Sequence, residues 1–252
     1  MNTLERIQSF QELIEQSEKE HQILGTGNPL APILIVGKES ACYAADDLAI
    51  HNHISENVKA VKDCFYNGDL VNLFLQEHPK DAGSTWSLYQ KLIDYILYGQ
   101  QQPRDACTPL SFGAWAYVTE MNNTASSKTK DAKDNRRPSY FRHRFFQDFP
   151  VVILACSDYI QNIPGKWQIN DIFQVKYDDV NGEHKDYSKG NWFYTHRNSN
   201  GKRLVIHTRQ LSTNVDDKML RDMAYVIREH LLKQQKHPNH WLNFNNDFCV
   251  KY

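Results

Sequence analysis

Hydrophobic positions along this chain of 252 residues form two kinds of pattern, and each predicts one kind of element. Apolar side chains recur at helical spacing in three stretches, which predict helices over 1–20, 85–98 and 215–233. Four compact apolar runs predict buried strands: Ile33–Val36, Ala114–Thr119, Val151–Cys156 and Leu204–His207. Because these runs alternate with helical stretches, we expect an α/β fold with three α/β/α layers around a mainly parallel four-stranded sheet.

The stretch between the third and fourth apolar runs is rich in Gly, Asn and Asp. Asn181-Gly182 and Asn200-Gly201 are typical of two-residue turns, so a β-hairpin insert is predicted around 173–203. The length and the lack of a low-complexity linker favour a single domain over 1–252. Its expected parts are an amino-terminal helix at 1–20, a core at 24–233 and a carboxyl-terminal extension at 234–252.

Composition excludes several classes of function. With 40% hydrophobic and 23% charged residues the chain is globular, and a net charge of -1 gives no chain-wide field for nucleic acid or membrane. The apolar runs are far shorter than the roughly 20 residues of a membrane helix. The amino-terminal stretch is predicted to be an amphipathic helix, and we expect no signal segment there. The five cysteines include no Cys-x-x-Cys pair, so we expect no metal, no iron–sulfur cluster, no cofactor and a cytoplasmic location. The oligomeric state stays open.

Residues with candidate chemistry follow three of the four apolar runs. Gly37-Lys38-Glu39-Ser40 follows the first, Glu120 and Asn122 follow the second, and His207 ends the fourth. Ligands of open α/β sheets bind beyond the carboxyl ends of the strands, so these residues are expected to line one crevice. Each also has a structural interpretation: a helix-capping carboxylate at Glu39, an ion pair at Glu120 and a loop-binding histidine at His207.

Two further segments suggest contacts with nucleic acid. Seven basic residues outnumber two acidic ones between Lys128 and Arg144, with Tyr and Phe interleaved. This favours phosphate contact, for which a solvated loop is the alternative. Leu211 stands alone among polar residues after His207, which fits either a wedge that enters a duplex or a staple onto the following helix. The staple is the commoner use of such a leucine.

The four strand ends, taken in order, resemble motifs of the uracil-DNA glycosylase superfamily over roughly 24–232. The segment Leu24–Pro32 and the strand that ends at Gly37 are similar to the first motif, with Glu39 at its third place. Val118-Thr119-Glu120 resembles the end of the base-reading strand, and 207–212 resembles the last motif, a histidine followed by a leucine wedge. The prolines of both motifs are missing, and Glu120 stands where the family has asparagine.

This resemblance implies a DNA base glycosylase that needs no cofactor, flips a base out of DNA and hydrolyses its N-glycosidic bond. It implies catalytic roles for Glu39 and His207. It also implies a base-binding set and a DNA-contact set: Gly37, Lys38, Ser40, Glu120 and Asn122 for the base, and Arg136, Arg137, Arg209 and Leu211 for the DNA. The family's strand order places the first and fourth strands two positions apart, about 10 Å, which leaves room for a flat base between Glu39 and His207.

The glutamate at the base-reading position changes the expected base. An ionised carboxylate only accepts hydrogen bonds, so Glu120 would repel O4 of uracil and suit the guanine N1/N2 face or an exocyclic amine. If Glu39 and Glu120 lie in one pocket, the pKa of at least one of the two carboxyl groups should be raised. Two other hypotheses remain: a nucleobase-binding or nucleic-acid-binding module whose catalysis has decayed, and an unrelated small-molecule hydrolase on a flavodoxin-like sheet.

Overall fold

The three predicted helices are present in the computed structural model, which describes residues 2–40, 47–68, 83–105, 108–126, 133–178, 185–188 and 190–234. These residues form five α-helices: α1 Thr3–Glu20, α2 Asp47–Tyr66, α3 Gly83–Tyr98, α4 Gln168–Phe173 and α5 Asp217–Gln234. Helix α1 begins with a capping box, in which the side chain of Asn2 accepts from the Glu5 amide and the Glu5 side chain accepts from the Asn2 amide.

Helix α2 was not predicted, because the polar stretch at its start, with His51, Asn52 and His53, hides its apolar face. Ile54, Val58 and Val61 lie at helical spacing on that face and are buried in the core. This spacing is the signal from which the sequence could have given the helix.

The four predicted strands form the centre of the sheet. They are β2 Ile33–Gly37, β3 Ala116–Glu120, β4 Val151–Leu154 and β10 Leu204–Thr208, and they pair in parallel in the order β3-β2-β4-β10. One strand, β4, therefore lies between β2 and β10. This is the spacing of two positions that was predicted for the first and fourth strands.

The prediction of a four-stranded sheet was too narrow, because short antiparallel strands extend both edges into a mixed sheet of eight strands. The added strands are β1 Thr26–Gly27, β7 Lys176–Tyr177, β8 Lys185–Asp186 and β9 Trp192–Arg197. The predicted insert at 173–203 thus joins the main sheet. Its turn at Asn200-Gly201 links β9 to β10, with Gly201 at a φ of 67°, and Asn181-Gly182 lies outside the described residues. The strands β5 Asn162–Ile163 and β6 Lys166–Trp167 form a separate hairpin.

Helices cover both faces of the sheet, which gives two buried cores. On one face, α1 and α2 pack with Leu34, Val36 and Leu154 of the central strands. On the other face, α3 and α5 pack with Ile35, Ile153 and other residues of the same strands. This layering leaves the carboxyl ends of the central strands together at one edge, where the candidate site lies. In the part of the chain that the structure describes, no helix is both long and apolar enough to cross a membrane.

Candidate active site

The segments that follow β2 and β3 run side by side beyond the ends of the two strands. The carbonyl of Gly37 accepts from the Met121 amide (2.9 Å), and the carbonyl of Lys38 accepts from the Asn122 amide (2.7 Å). Farther along the chain, the carbonyl of Ser40 accepts a hydrogen bond from the Ser126 amide (2.9 Å). These bonds continue the parallel pairing of the strands and bring the residues after Gly37 next to those after Glu120.

Gly37 provides the space that the Glu120 side chain occupies. The two residues are register partners, and a Cβ built at Gly37 would overlap Oε2 of Glu120 and lie 2.9 Å from its Cδ. The absence of a side chain at Gly37 thus allows the carboxyl group to lie over the end of β2. This gives Gly37 a definite role in the site, which differs from the expected direct contact with a base.

The carboxyl group of Glu120 is buried beside a second carboxylate. Its Oε2 has no hydrogen-bond partner among the described residues. Burial, together with the neighbouring Glu39 carboxylate, raises the pKa of Glu120 to about 8, and the Arg137 guanidinium acts in the opposite direction. The raised pKa of Glu120 agrees with the expectation that two neighbouring carboxylates raise the pKa of at least one of them.

Glu39 is linked to the turn that follows β4. Its carboxylate accepts a hydrogen bond from the Tyr159 hydroxyl. Burial, and to a lesser extent this bond, raises the pKa of the tyrosine. Nζ of Lys38 lies 3.5 Å from a carboxylate oxygen of Asp158 and 4.7 Å from the centre of the Tyr159 ring. The segment after β2 is thus anchored on both sides, by β3 and by the β4 turn.

The substitution Gly37→Ala is expected to displace Glu120 without unfolding the protein. The atoms that the new Cβ meets belong to the end of a flexible side chain, so the cost should be about 1 kcal/mol in the free energy of unfolding. Gly25→Ala is the matched control: its Cβ would meet backbone atoms of β3, and Gly25 has a φ of 101°, so it should cost about 2 kcal/mol or more. Urea unfolding measures both, and equal costs would contradict this account of Gly37.

His207 lies apart from Glu120. His207 pairs with Leu154 of β4, which in turn pairs with Val36 of β2, and the side chains of Leu154 and Val36 face α1 and α2. On β3 the partner of Val36 is Thr119, so Glu120 lies one residue beyond this level of the sheet. Because side chains alternate along strands, His207 and Glu120 point to opposite faces of the sheet. Three strand positions also separate β3 from β10, about 14 Å. The expected convergence of Glu39, Glu120 and His207 on one crevice is therefore corrected, because His207 does not lie with Glu120.

The histidine instead supports the turn after β4. Its Nε2–H donates to the carbonyl of Ser157 (2.8 Å), and its ring packs against Trp192 with centres 5.0 Å apart. Ser157 has a φ of 50°, an uncommon conformation for a residue other than glycine. Burial lowers the pKa of His207, so its imidazole is neutral at neutral pH. The observed contacts are those of a residue that positions the turn.

Asn122 and Arg137 have structural roles that differ from the expected contacts with base and DNA. The Asn122 side chain donates to the carbonyl of Lys133 (2.9 Å) and accepts from the amide of Asn135 (2.9 Å), so it holds the following loop. The Arg137 guanidinium is buried, where it donates to the carbonyls of Ile23 (2.6 Å) and Glu120 (2.9 Å). A side chain so enclosed cannot reach a DNA phosphate, and the predicted contact at Arg137 was wrong.

The remaining residues predicted to contact DNA differ in exposure. Leu211 is fully buried with Met219 and Leu220, so the wedge is corrected to the alternative, a staple onto α5. Arg209 is half-buried and donates to the carbonyl of Thr213 (3.0 Å) in its own loop. Arg136 is exposed and forms a two-pronged ion pair with Asp134. Residues 127–132 of the basic segment lie outside the described part.

Sequence reasoning missed the contribution of the turn after β4. Asp158 and Tyr159 follow that strand at the same edge of the sheet, so the rule that located Glu39 and Glu120 applied to them equally. Cys156, a buried free thiol, lies close enough that the charge of Glu120 adds to the effect of burial in raising its pKa. Among the residues described, no cluster of three or more His, Cys, Asp or Glu could hold a metal ion.

No protein-family model matches the chain, and no significant match is found among curated proteins.

Proposed function

We propose that this protein is a divergent DNA base glycosylase with a uracil-DNA glycosylase-like fold, which hydrolyses the N-glycosidic bond of a flipped base. The observation that carries the proposal is the pair of carboxyl groups, Glu39 and Glu120, at the carboxyl ends of adjacent parallel strands. The order of the four central strands is β3-β2-β4-β10. The first and the fourth of these strands along the chain, β2 and β10, thus lie two positions apart, which agrees with the spacing that the resemblance implied.

The two carboxyl groups differ in a way that suits this reaction. Cleavage of the N-glycosidic bond leaves positive charge on the sugar and sends the bonding electrons to the departing base. Glu39, held by Tyr159, would stabilise the sugar cation, orient a water molecule towards the anomeric carbon and accept its proton. Glu120, which is buried over Gly37, would hydrogen-bond the base. His207 acts indirectly, through Ser157, in this scheme.

A nucleobase-binding module without catalysis is the second candidate, and the burial of Leu211 and Arg137 favours it. Without a wedge at Leu211, extrusion of a base from a duplex lacks the element that the resemblance implied. Arg136 and Arg209 remain as candidate phosphate contacts, but both are engaged with neighbouring groups. A module of this kind would keep the Glu120 pocket and bind bases that are already unpaired.

The two candidates are separated by incubating the full chain with oligonucleotides that carry uracil, hypoxanthine, xanthine or an alkylated base. Single-stranded and duplex forms of each are treated with alkali to reveal abasic sites. A glycosylase is expected to produce abasic sites from at least one substrate, with single strands favoured because no base needs to be extruded. Binding without cleavage would support the module, and the absence of both would overturn the two proposals together.

A further inference from the structure

The carboxyl group of Glu120 combines two unusual features. One of its oxygens is buried without a hydrogen-bond partner, and the carboxylate of Glu39 lies nearby. The residue as a whole is only half-buried, so part of its surface stays open at the carboxyl end of β3.

A buried carboxylate without a partner would be strongly unfavourable if it were ionised, and a second carboxylate beside it increases the cost. The groups that face it from the surrounding elements do not remove this cost. They are Glu39 after β2, Tyr89 of α3, Cys156 after β4 and Arg137. Only Arg137 is cationic, and its hydrogen bonds go to backbone carbonyls and to the side chains of Thr119 and Gln22. A neutral carboxyl group fits these surroundings better than a charged one.

We infer that Glu120 binds its ligand as a neutral carboxylic acid, which donates one hydrogen bond and accepts another. This inference rests on the proposed function for the identity of the ligand as a nucleobase. A neutral acid offers the same pair of groups as an amide side chain, one donor beside one acceptor. The ligand edge that matches it also has one donor beside one acceptor, as in uracil and hypoxanthine.

This result reverses the expectation drawn from the sequence. From the sequence, Glu120 was expected to be ionised, to repel O4 of uracil and to bind the guanine N1/N2 face, which has two donors. In the neutral state the O–H of Glu120 can donate to a base carbonyl while its C=O accepts from the adjacent ring N–H. The burial of the carboxyl group, which no property of the sequence shows directly, is the reason for the change.

The decisive experiment measures the binding of free uracil and free hypoxanthine to the intact protein by calorimetry between pH 6 and pH 9. Wild-type affinity is expected to fall about tenfold per pH unit once Glu120 loses its proton, above about pH 8. Glu120→Gln, whose amide keeps the donor and the acceptor, should bind at pH 6 and show little of this loss. Glu120→Ala should lose binding at every pH. Ionisation of the bases affects all variants alike.

A second measurement tests the protonation state without any ligand. The folded state holds the Glu120 proton up to about pH 8, whereas an ordinary glutamate loses it near 4.5. The folded protein therefore binds more protons than the unfolded chain in this range, and its stability should fall as pH rises from about 4.5 to 8. Glu120→Gln should match the wild type in melting temperature below this range and exceed it at pH 8 and above.

The outcomes separate the inference from the proposed function. Base binding that is abolished by Glu120→Gln, or that strengthens as pH rises, would overturn the neutral acid and leave the glycosylase in place. Equal pH dependence of melting for wild type and Glu120→Gln would also overturn it. If neither base binds at any pH, the ligand part of the inference and the base pocket of the proposed function fail together.

Discussion

Glu39→Gln is expected to slow base release by about 100-fold or more, within the range that general base catalysis contributes. The substitution keeps the size of the side chain and removes the negative charge that would stabilise the sugar cation and accept the proton from water. The measurement is single-turnover formation of abasic sites on the best substrate of the oligonucleotide series. Full activity in Glu39→Gln would exclude this carboxylate as the group that activates water.

Glu12→Gln is a suitable control for this experiment. Glu12 also forms an ion pair, with Arg144 (2.6 Å), but the pair lies on the exposed surface of α1, away from the strand ends. Its removal should leave base release unchanged, because exposed pairs contribute little.

Glu39→Gln has a second expected effect that does not depend on activity. Removing the charge of Glu39 removes one of the two causes that raise the pKa of Glu120. The pH range over which the stability of the folded state falls should therefore end below pH 8 in this variant. An unchanged range would show that burial alone maintains the shift.

Leu211→Ala is expected to destabilise the protein by about 2–5 kcal/mol, as is typical when a buried leucine is truncated. Leu211 is fully buried between the sheet and α5, and its loss would leave a cavity in the core that contains Met219 and Leu220. Urea unfolding gives the free energy, and fluorescence titration with a labelled oligonucleotide gives the affinity of the folded protein. That affinity should stay the same, because a buried side chain does not touch DNA.

The matched control is Ile163→Ala, because Ile163 is an aliphatic residue that is 54% exposed. Its truncation should change the free energy of unfolding by no more than about 0.5 kcal/mol. If Leu211→Ala were as stable as this control and bound DNA less tightly, Leu211 would have to leave the core and act as a wedge after all.

The centre of the fold could be predicted because its strands are fully buried. A run such as Ile33–Val36 leaves no polar side to face solvent, so its apolar pattern is continuous and easily recognised. The edge strands β1, β7 and β8 have only two residues each, too few to show any period. Their pairing depends on backbone groups that the sequence does not distinguish.

The same contrast applies to the site. Glu39 and Glu120 could be paired from the sequence because both follow parallel strands, and such strands end at the same edge of a sheet. The face on which His207 lies depends on strand register, which a shift of one residue reverses. The burial of Arg137 and Leu211 arises from tertiary packing around loops, where polarity in the sequence is a weak guide to exposure.

The bond between His207 and Ser157 bears on how the site responds to acidity. A neutral imidazole and a protonated one can both donate from Nε2 to a carbonyl, so this contact persists whether or not the ring gains a proton. The pKa of His207 is lowered by burial, so the ring also stays uncharged across the neutral range. The turn that carries Tyr159 thus keeps its shape while Glu120 titrates. A change in ligand affinity near pH 8 can then be assigned to one proton on one carboxyl group, with the framework around it held constant.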